Sequence, residues 1–565
     1  MSRNRNLALP ALAVAAYSIA AAAAAAVGFR FWIPWVVVQL LDRGELQRAP
    51  ITSLLALHAQ PPLLNAVLAG ALRLGAVLGC GPELPLSVLF FLLGGAVVVL
   101  LAQLVASVTG SPWLAMGAVL LTVADPALHV YRTVFFYELP LAAVLLVGLA
   151  AASRFLASGR ERHLLLFVLA LGGMGLLRSL YHPIWAAAMF AVLAVGRARL
   201  ASDKLRGAAW LRSTALLAVL LALWPLKNAL LFGAPITSSW IGYNLSRGTP
   251  VRQPAFETYL QTGMVGETLR QQWLRSAPAF LRDAPVLAAP TKDGGVRNWN
   301  HYIFLLTYRQ LEGDALAWRR EHPAEWLRQS LANYLLWGRP SYVDSYWSRP
   351  RGPDSALYRT YAGWHQRLLF PDLRGVVVRW TPAAAVHRST VVWGGPAPYT
   401  LFTLVGLPLL LVALALLLPA RLCKGPDAWV ALLAAMTLLW VLVVPCLTDG
   451  TEGNRMRYPV SPCVLLLTAW AATAAWQRAR ARRAPAAPDG GRAAARPACR
   501  RAQFMMKEER RMKKTTSKLH LSRETLRQLL DPSALRAAPG GNSVPVTACG
   551  YTCPLMCTQF RACGG

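Results

Sequence analysis

Residues 84–105 read LPLSVLFFLLGGAVVVLLAQLV, 22 positions without a charge. A helix rises 1.5 Å per residue, so a run of this length covers the ~30 Å of hydrocarbon in a bilayer. The stretch therefore reads as a membrane-spanning helix. Further apolar runs recur at 7–27, 113–124, 139–155, 164–177, 183–195, 214–232, 401–418, 429–444 and 460–476, about ten spans in all. Composition agrees: of 565 residues, 55% are hydrophobic and only 15% charged, too apolar for an ordinary soluble chain. The expected fold is an all-α, polytopic transmembrane protein. Segment 62–78 is also apolar, but it follows a Pro-Pro pair and carries Arg73, and is expected to lie along the membrane surface.

Lys and Arg placement gives the expected orientation. With the N-terminus (Arg3, Arg5) cytoplasmic and 62–78 interfacial, the basic loops at 154–162, 197–212, 421–424 and 478–483 all fall inside. Counting 62–78 as a span reverses most of them. An uncleaved first span is preferred over a signal peptide, although the alanine run near residue 20 imitates a cleavage site. Both termini are then cytoplasmic, in a plasma (inner) membrane.

Five regions follow. Residues 1–232 form a first transmembrane block, and 399–476 a second. Between them, 233–398 is rich in Trp, Arg, Pro and Tyr without a spanning run, as suits an extracytoplasmic domain of short helices and loops resting on the membrane. Residues 477–511 are a basic Ala/Pro/Arg-rich linker, and 512–565 a tail expected to be disordered. The net charge of +32 sits largely in the cytoplasmic loops and tail, where topology and anionic headgroups explain it. No zinc finger, aromatic RNA-binding signature or helix-turn-helix pattern accompanies it, so nucleic acid is not an expected partner.

The polar residues that interrupt the spans are concentrated. Asp42 and Glu45 follow the first span, and then come His58-Ala59-Gln60-Pro61-Pro62-Leu63. A second loop runs from Asp125-Pro126 through Tyr131-Arg132 to Tyr137-Glu138-Leu139-Pro140. This order resembles the integral-membrane glycosyltransferases of the GT-C class, especially the protein mannosyltransferase and aminoarabinose transferase group, over about residues 1–230. The late Arg455-Met456-Arg457-Tyr458-Pro459 turn is similar to one found in many of these transferases. The chain departs from the pattern in the spacing Asp42…Glu45 and in having Glu138 as the second loop's acid.

The resemblance implies transfer of a sugar from a polyprenyl-phosphate carrier to an acceptor hydroxyl at the outer leaflet. A carboxylate takes the hydroxyl proton, a role that falls to Asp42, with Glu45 and Glu138 as the other candidates. The departing lipid phosphate needs fixed cations, for which Arg132, Arg178, Lys227, Arg455 and Arg457 stand at the expected external span ends. Tyr131, His58, His182 and Asn228 complete the implied binding set. Carboxylates could also hold Mg²⁺ or Mn²⁺ on the phosphate. Each residue has a plainer reading. Asp42 and Glu45 could be solvated loop charges, and Glu138 could cap the helix it begins. His58 could be structural, and Arg178 with His182 could snorkel at the interface. Lys227-Asn228, with Ser238-Ser239-Trp240 nearby, could be an ordinary membrane boundary. A transporter or flippase of lipid-linked saccharide is the alternative function. It should show repeated halves and mid-membrane polar residues, and the chain shows neither pattern.

The tail carries its own signal. Residues 512–529 read MKKTTSKLHLSRETLRQL, and Cys549, Cys553, Cys557 and Cys563 crowd the final stretch. The spacing suits neither a structural zinc site nor, in the cytoplasm, disulfides. The segment resembles the leader of class I lanthipeptide precursors. That resemblance implies dehydration of Thr547, Thr552 and Thr558 (with Ser543 a further candidate), thioether closure by the cysteines, and binding by peptide-modifying enzymes. It also makes Met505, Met506 or Met512 candidate starts of a separate peptide, either fused or misjoined to an unrelated membrane protein.

Overall fold

The structure, a computed structural model, describes residues 2–200, 207–247, 249–342, 356–371, 400–423, 425–448 and 453–483. The tail residues singled out above, and Asp449 to Glu452 of the last turn, lie outside them.

Among the described residues, regular structure is helical, and strand pairing is confined to two single bridges, Trp32 with Val134 and Thr291 with Arg297. The first block runs α1 (Ser2–Ala26), α2 (Arg43–Arg48), α3 (Pro50–Ala56), α4 (Leu63–Val77), α5 (Glu83–Thr109), α6 (Pro112–Val123) and α7 (Pro126–Arg132). It continues through α8 (Glu138–Ser158), α9 (Glu161–Leu177), α10 (Pro183–Leu200) and α11 (Gly207–Phe232). Smaller helices follow: α12 (Ile241–Ser246), α13 (Pro254–Thr262), α14 (Glu267–Ser276), α15 (Pro285–Ala288), α16 (Ile303–Glu321), α17 (Pro323–Trp337) and α18 (Ala356–Leu369). The second block comprises α19 (Leu407–Arg421), α20 (Pro426–Thr448), α21 (Gly453–Arg457) and α22 (Ser461–Arg483).

Among the described residues, eight helices are long and apolar enough to cross a membrane, and α6 with α7, bent by 62° at their junction, make a ninth broken span. The 17-residue α9 packs along α8 and α11 and carries the chain back across the bundle. With it, every one of the ten expected spans corresponds to a helix. The chain is thus a polytopic α-helical membrane protein.

Contacts sort the loops into two ends. At one, Arg154 donates to Gln103, Arg212 pairs with Glu161 at 2.7 Å, and Arg421 donates to the Ala474 carbonyl. These are the basic loops. At the other, Trp32 bridges Val134, Arg178 meets Glu138, and the Trp440 indole donates to the Leu180 carbonyl. The second end is the site end. Helix α4 begins next to His58 and runs into Gly79–Gly81. From there α5 starts at the site end, where Phe90 packs on Phe31 and Phe135. Both ends of α4 thus lie at one end of the bundle, and the helix does not cross.

Lipid is as apolar as leucine, so helix association rests on close packing and not on the hydrophobic effect. Gly94 shows how this works: a Cβ there would lie 2.4 Å from the Tyr17 hydroxyl oxygen, which donates to the Phe91 carbonyl. Outside the bundle, Trp240, Phe256, Tyr259, Trp299, Ile303 and Phe304 form a second core under α12, α13 and α16.

Candidate functional site

The first loop is fixed by backbone hydrogen bonds. Asp42 is the N-cap of α2: its Oδ1 accepts from Gly44 N–H (2.8 Å) and Glu45 N–H (3.2 Å). Its Oδ2 accepts from Asp293 N–H at 2.7 Å, tying the loop to the 291–297 turn. Burial pushes the Asp42 carboxyl up, but hydrogen bonds from Asp293, Glu45 and Gly44 outweigh it and hold the group below the usual range. Asp293 moves the other way, raised by its hydrogen bond to Asp42 and by that neighbour's charge. Next to them, the Lys292 ammonium donates to the carbonyls of Val37 (2.7 Å), Leu40 (3.1 Å) and Trp35 (3.3 Å). Burial lowers its pKa to about 8, against the opposing charge of Asp42.

His58 is wholly buried, with Nδ1 2.7 Å from the Ser239 hydroxyl and Nε2 2.9 Å from the Asn300 carbonyl. The carbonyl requires Nε2 to carry the proton, so Nδ1 accepts from Ser239. Burial, and then the charge of Lys227, push His58 well below its usual range, and it stays neutral. Asn300 Oδ1 accepts from the backbone N–H of His58 (3.0 Å) and of Ala59 (3.1 Å). The arrangement docks the loop on the Trp240 core. Lys227 is also committed, donating to the carbonyls of Leu55 and Leu57 with its ammonium 3.7 Å from the Trp224 ring centroid. Asn228 donates to the Ile236 carbonyl. His182 Nδ1 accepts from Ile184 N–H at the start of α10, and burial lowers its pKa.

The ionisable residues that converge do so at the site end. Glu138 is fully buried in the first turn of α8, and its Oε1 lies 3.1 Å from Arg455 Nε and 3.4 Å from Arg178 Nη1. Rings sheath both guanidiniums, Phe136 beside Arg455 and Tyr137 beside Arg178. Two residues after Arg455, Arg457 is 4% exposed and donates to the Arg339 carbonyl (2.7 Å) and the Ser341 hydroxyl (3.3 Å). Trp337, Phe370 and Phe402 surround it, and its buried Nε has no partner among the described residues. Tyr131 packs on Tyr458 with ring centroids 4.5 Å apart and donates to the Ser341 carbonyl. Arg132 points elsewhere, to the Ala21 carbonyl.

Two neighbours of this cluster have no assigned role in the sequence: Asp125, read only as the start of the second loop, and His365, which is not singled out. Asp125 caps α7 by accepting from Ala127 N–H, and one of its oxygens stands 4.0 Å from His365 Nε2. His365 Nδ1 is 2.9 Å from the Tyr342 hydroxyl. His365 comes from α18, more than 200 residues away in the chain, and only folding could bring it there. The structure therefore joins Glu138, Arg178, Arg455, Arg457 and Tyr131 in one cluster. Asp42, His58 and Lys227 serve the junction with the outer helices. Glu45 pairs with Arg48 and lines a cavity of about 270 Å³ with Thr52, Ser53, Phe280 and Asp283. Among the described residues, no three His, Cys, Asp or Glu side chains cluster closely enough to hold a metal ion.

No protein-family model matches this chain, and no curated protein matches it either. Among solved structures, it is similar to the apo form of the Archaeoglobus fulgidus oligosaccharyltransferase, at 13% identity and a TM-score of 0.33. The likeness covers 86% of this chain and 52% of that one, so the chain spans about half the length of that protein. A similarity of this size carries no weight for activity.

Proposed function

We propose that this protein is a membrane glycosyltransferase that moves a sugar from a polyprenyl-phosphate carrier to an acceptor at the site end of the bundle, on the outer face of the plasma membrane. The observation that carries the reading is the buried guanidinium cluster of Arg178, Arg455 and Arg457 at the end of an apolar bundle. A polyprenyl phosphate has its isoprenoid chain in hydrocarbon and its charge at the boundary. Guanidinium groups offer such a charge planar, paired donors and lose less hydration than an ammonium does. As the bond from the anomeric carbon to the phosphate oxygen breaks, charge builds on the phosphate, where fixed donors in a dry site act most strongly.

Glu138 then acts as a positioning group that fixes Arg178 and Arg455. Asp42 is engaged by three backbone amides, and Glu45, on a cavity wall, is the first-loop acid with room for an acceptor hydroxyl beside it. The test is sugar release or transfer from labelled polyprenyl-phosphate sugars by the full chain in vesicles, comparing wild type with Arg457→Gln, Glu138→Gln, Glu45→Gln and Asp42→Asn. The expected result is severe loss with Arg457→Gln and Glu138→Gln. Full activity in both would overturn the site, and no turnover of any such donor by wild type would overturn the reading.

The tail is a separate proposal, carried by the leader-like sequence at 512–529 and the interleaved Thr and Cys residues. We infer a peptide substrate for dehydration and thioether closure, with water lost from Thr and each thiol added across the resulting alkene. Mass spectrometry of the expressed chain should find losses of 18 Da multiples confined to 543–565. An unmodified tail in the presence of its producing cell's enzymes would refute it.

A further inference from the structure

We propose that α18 is an in-plane membrane helix, seated in the leaflet at the site end, that seals the gap left by the broken span α6–α7. Helix α6 has 12 residues. At 1.5 Å per residue it rises about 18 Å, well short of the ~30 Å of hydrocarbon. Its Leu120 and Leu121, one turn before the break, are exposed, so bilayer reaches almost to the break itself. Backbone left unpaired at that depth is tolerated only where protein covers it.

Helix α18 supplies the cover. Tyr361 donates its hydroxyl to the Ala124 carbonyl at the break, His365 faces Asp125, and Tyr358 packs edge-on against Phe29. On the next sector of the same helix, Leu357, Trp364 and Leu368 are 63%, 67% and 79% exposed. At 3.6 residues per turn, they fall within an arc of about 40°. Arg359, Thr360, Gln366 and Arg367 occupy the remaining sector. One helix thus presents three faces, to protein, to an apolar phase and to water. Only a position at the membrane boundary satisfies all three. A Trp between leucines with flanking arginines is also the composition that binds acyl chains on one side and headgroups on the other. The inference rests on the span architecture alone and does not depend on sugar transfer.

The test places a photoreactive benzophenone amino acid at Leu368, Trp364 or Gln366 of the full chain. The protein sits in phosphatidylcholine–phosphatidylglycerol vesicles with tritiated acyl chains. Leu368 and Trp364 point away from the core, so the replacements leave packing intact. Illumination should attach labelled lipid severalfold more at 368 and 364 than at 366. Equal labelling at all three sites, or crosslinking of 368 to a second copy of the chain, would overturn the proposal.

Discussion

Replacing Glu138 with glutamine should expose how the site is held. The change keeps volume and shape, so it opens no cavity and isolates the charge. In the native chain one carboxylate oxygen serves Arg455 at 3.1 Å and Arg178 at 3.4 Å, with the three side chains 0%, 5% and 9% exposed. Removing one partner of a buried ion pair costs about 3–5 kcal/mol, because the remaining charge stays desolvated without compensation. Here two guanidiniums lose the same carboxylate, which places Glu138→Gln at the upper part of that range. Arg178→Gln should cost less, because Glu138 keeps Arg455. The assay is reversible urea unfolding in lipid–detergent micelles followed by Trp fluorescence, on both single variants and the double variant. The double variant should be markedly less destabilised than the two losses added, since each substitution removes the reason for the other's penalty. Additive losses, or a Glu138→Gln protein as stable as wild type, would refute the claim that Glu138 holds the arginines.

Asn300→Leu should loosen the first loop from the outer helices. It strips the acceptor from two buried N–H groups at about 1–3 kcal/mol each, which corresponds to roughly 30-fold or more faster hydrogen exchange at residues 58–59. Unchanged exchange there would sink the docking role of Asn300. Lys292 gives a pH signature. Its folded pKa of about 8 lies below the ordinary 10.5, so between these values the unfolded chain holds the extra proton and stability rises with pH. Wild type should gain on Lys292→Met by up to about 3 kcal/mol from pH 8 to 10.5. A pH-independent difference between the two would contradict the burial of this ammonium among carbonyls.

The sequence alone determined the membrane fold and where its long apolar helices lie, because hydrocarbon leaves a backbone few options and an uncharged run of this length has little other use. It also set 62–78 apart from the spans, since Pro-Pro and Arg73 disfavour a crossing, and α4 in that segment is shorter than the spanning helices. Glu138, Arg178, Arg455 and Arg457 were legible as charges at span ends, where ionisable residues are costly and stand out. Their convergence was not legible: Glu138 and Arg455 are separated by more than 300 residues and meet only because α8 packs against α20 and against the Tyr458–Val460 turn that directly follows α21. Asp42 shows the opposite case. An acid after a first span looks catalytic in a string of letters, yet its oxygens are taken by the amides of Gly44, Glu45 and Asp293, the last from a turn some 250 residues on. His365 gave no signal at all, because an amphipathic helix has many possible partners until the break at Ala124–Asp125 supplies one. Local chemistry decides what must be helical and buried. Which buried charges share a site depends on long-range packing, and only the tertiary structure decides that.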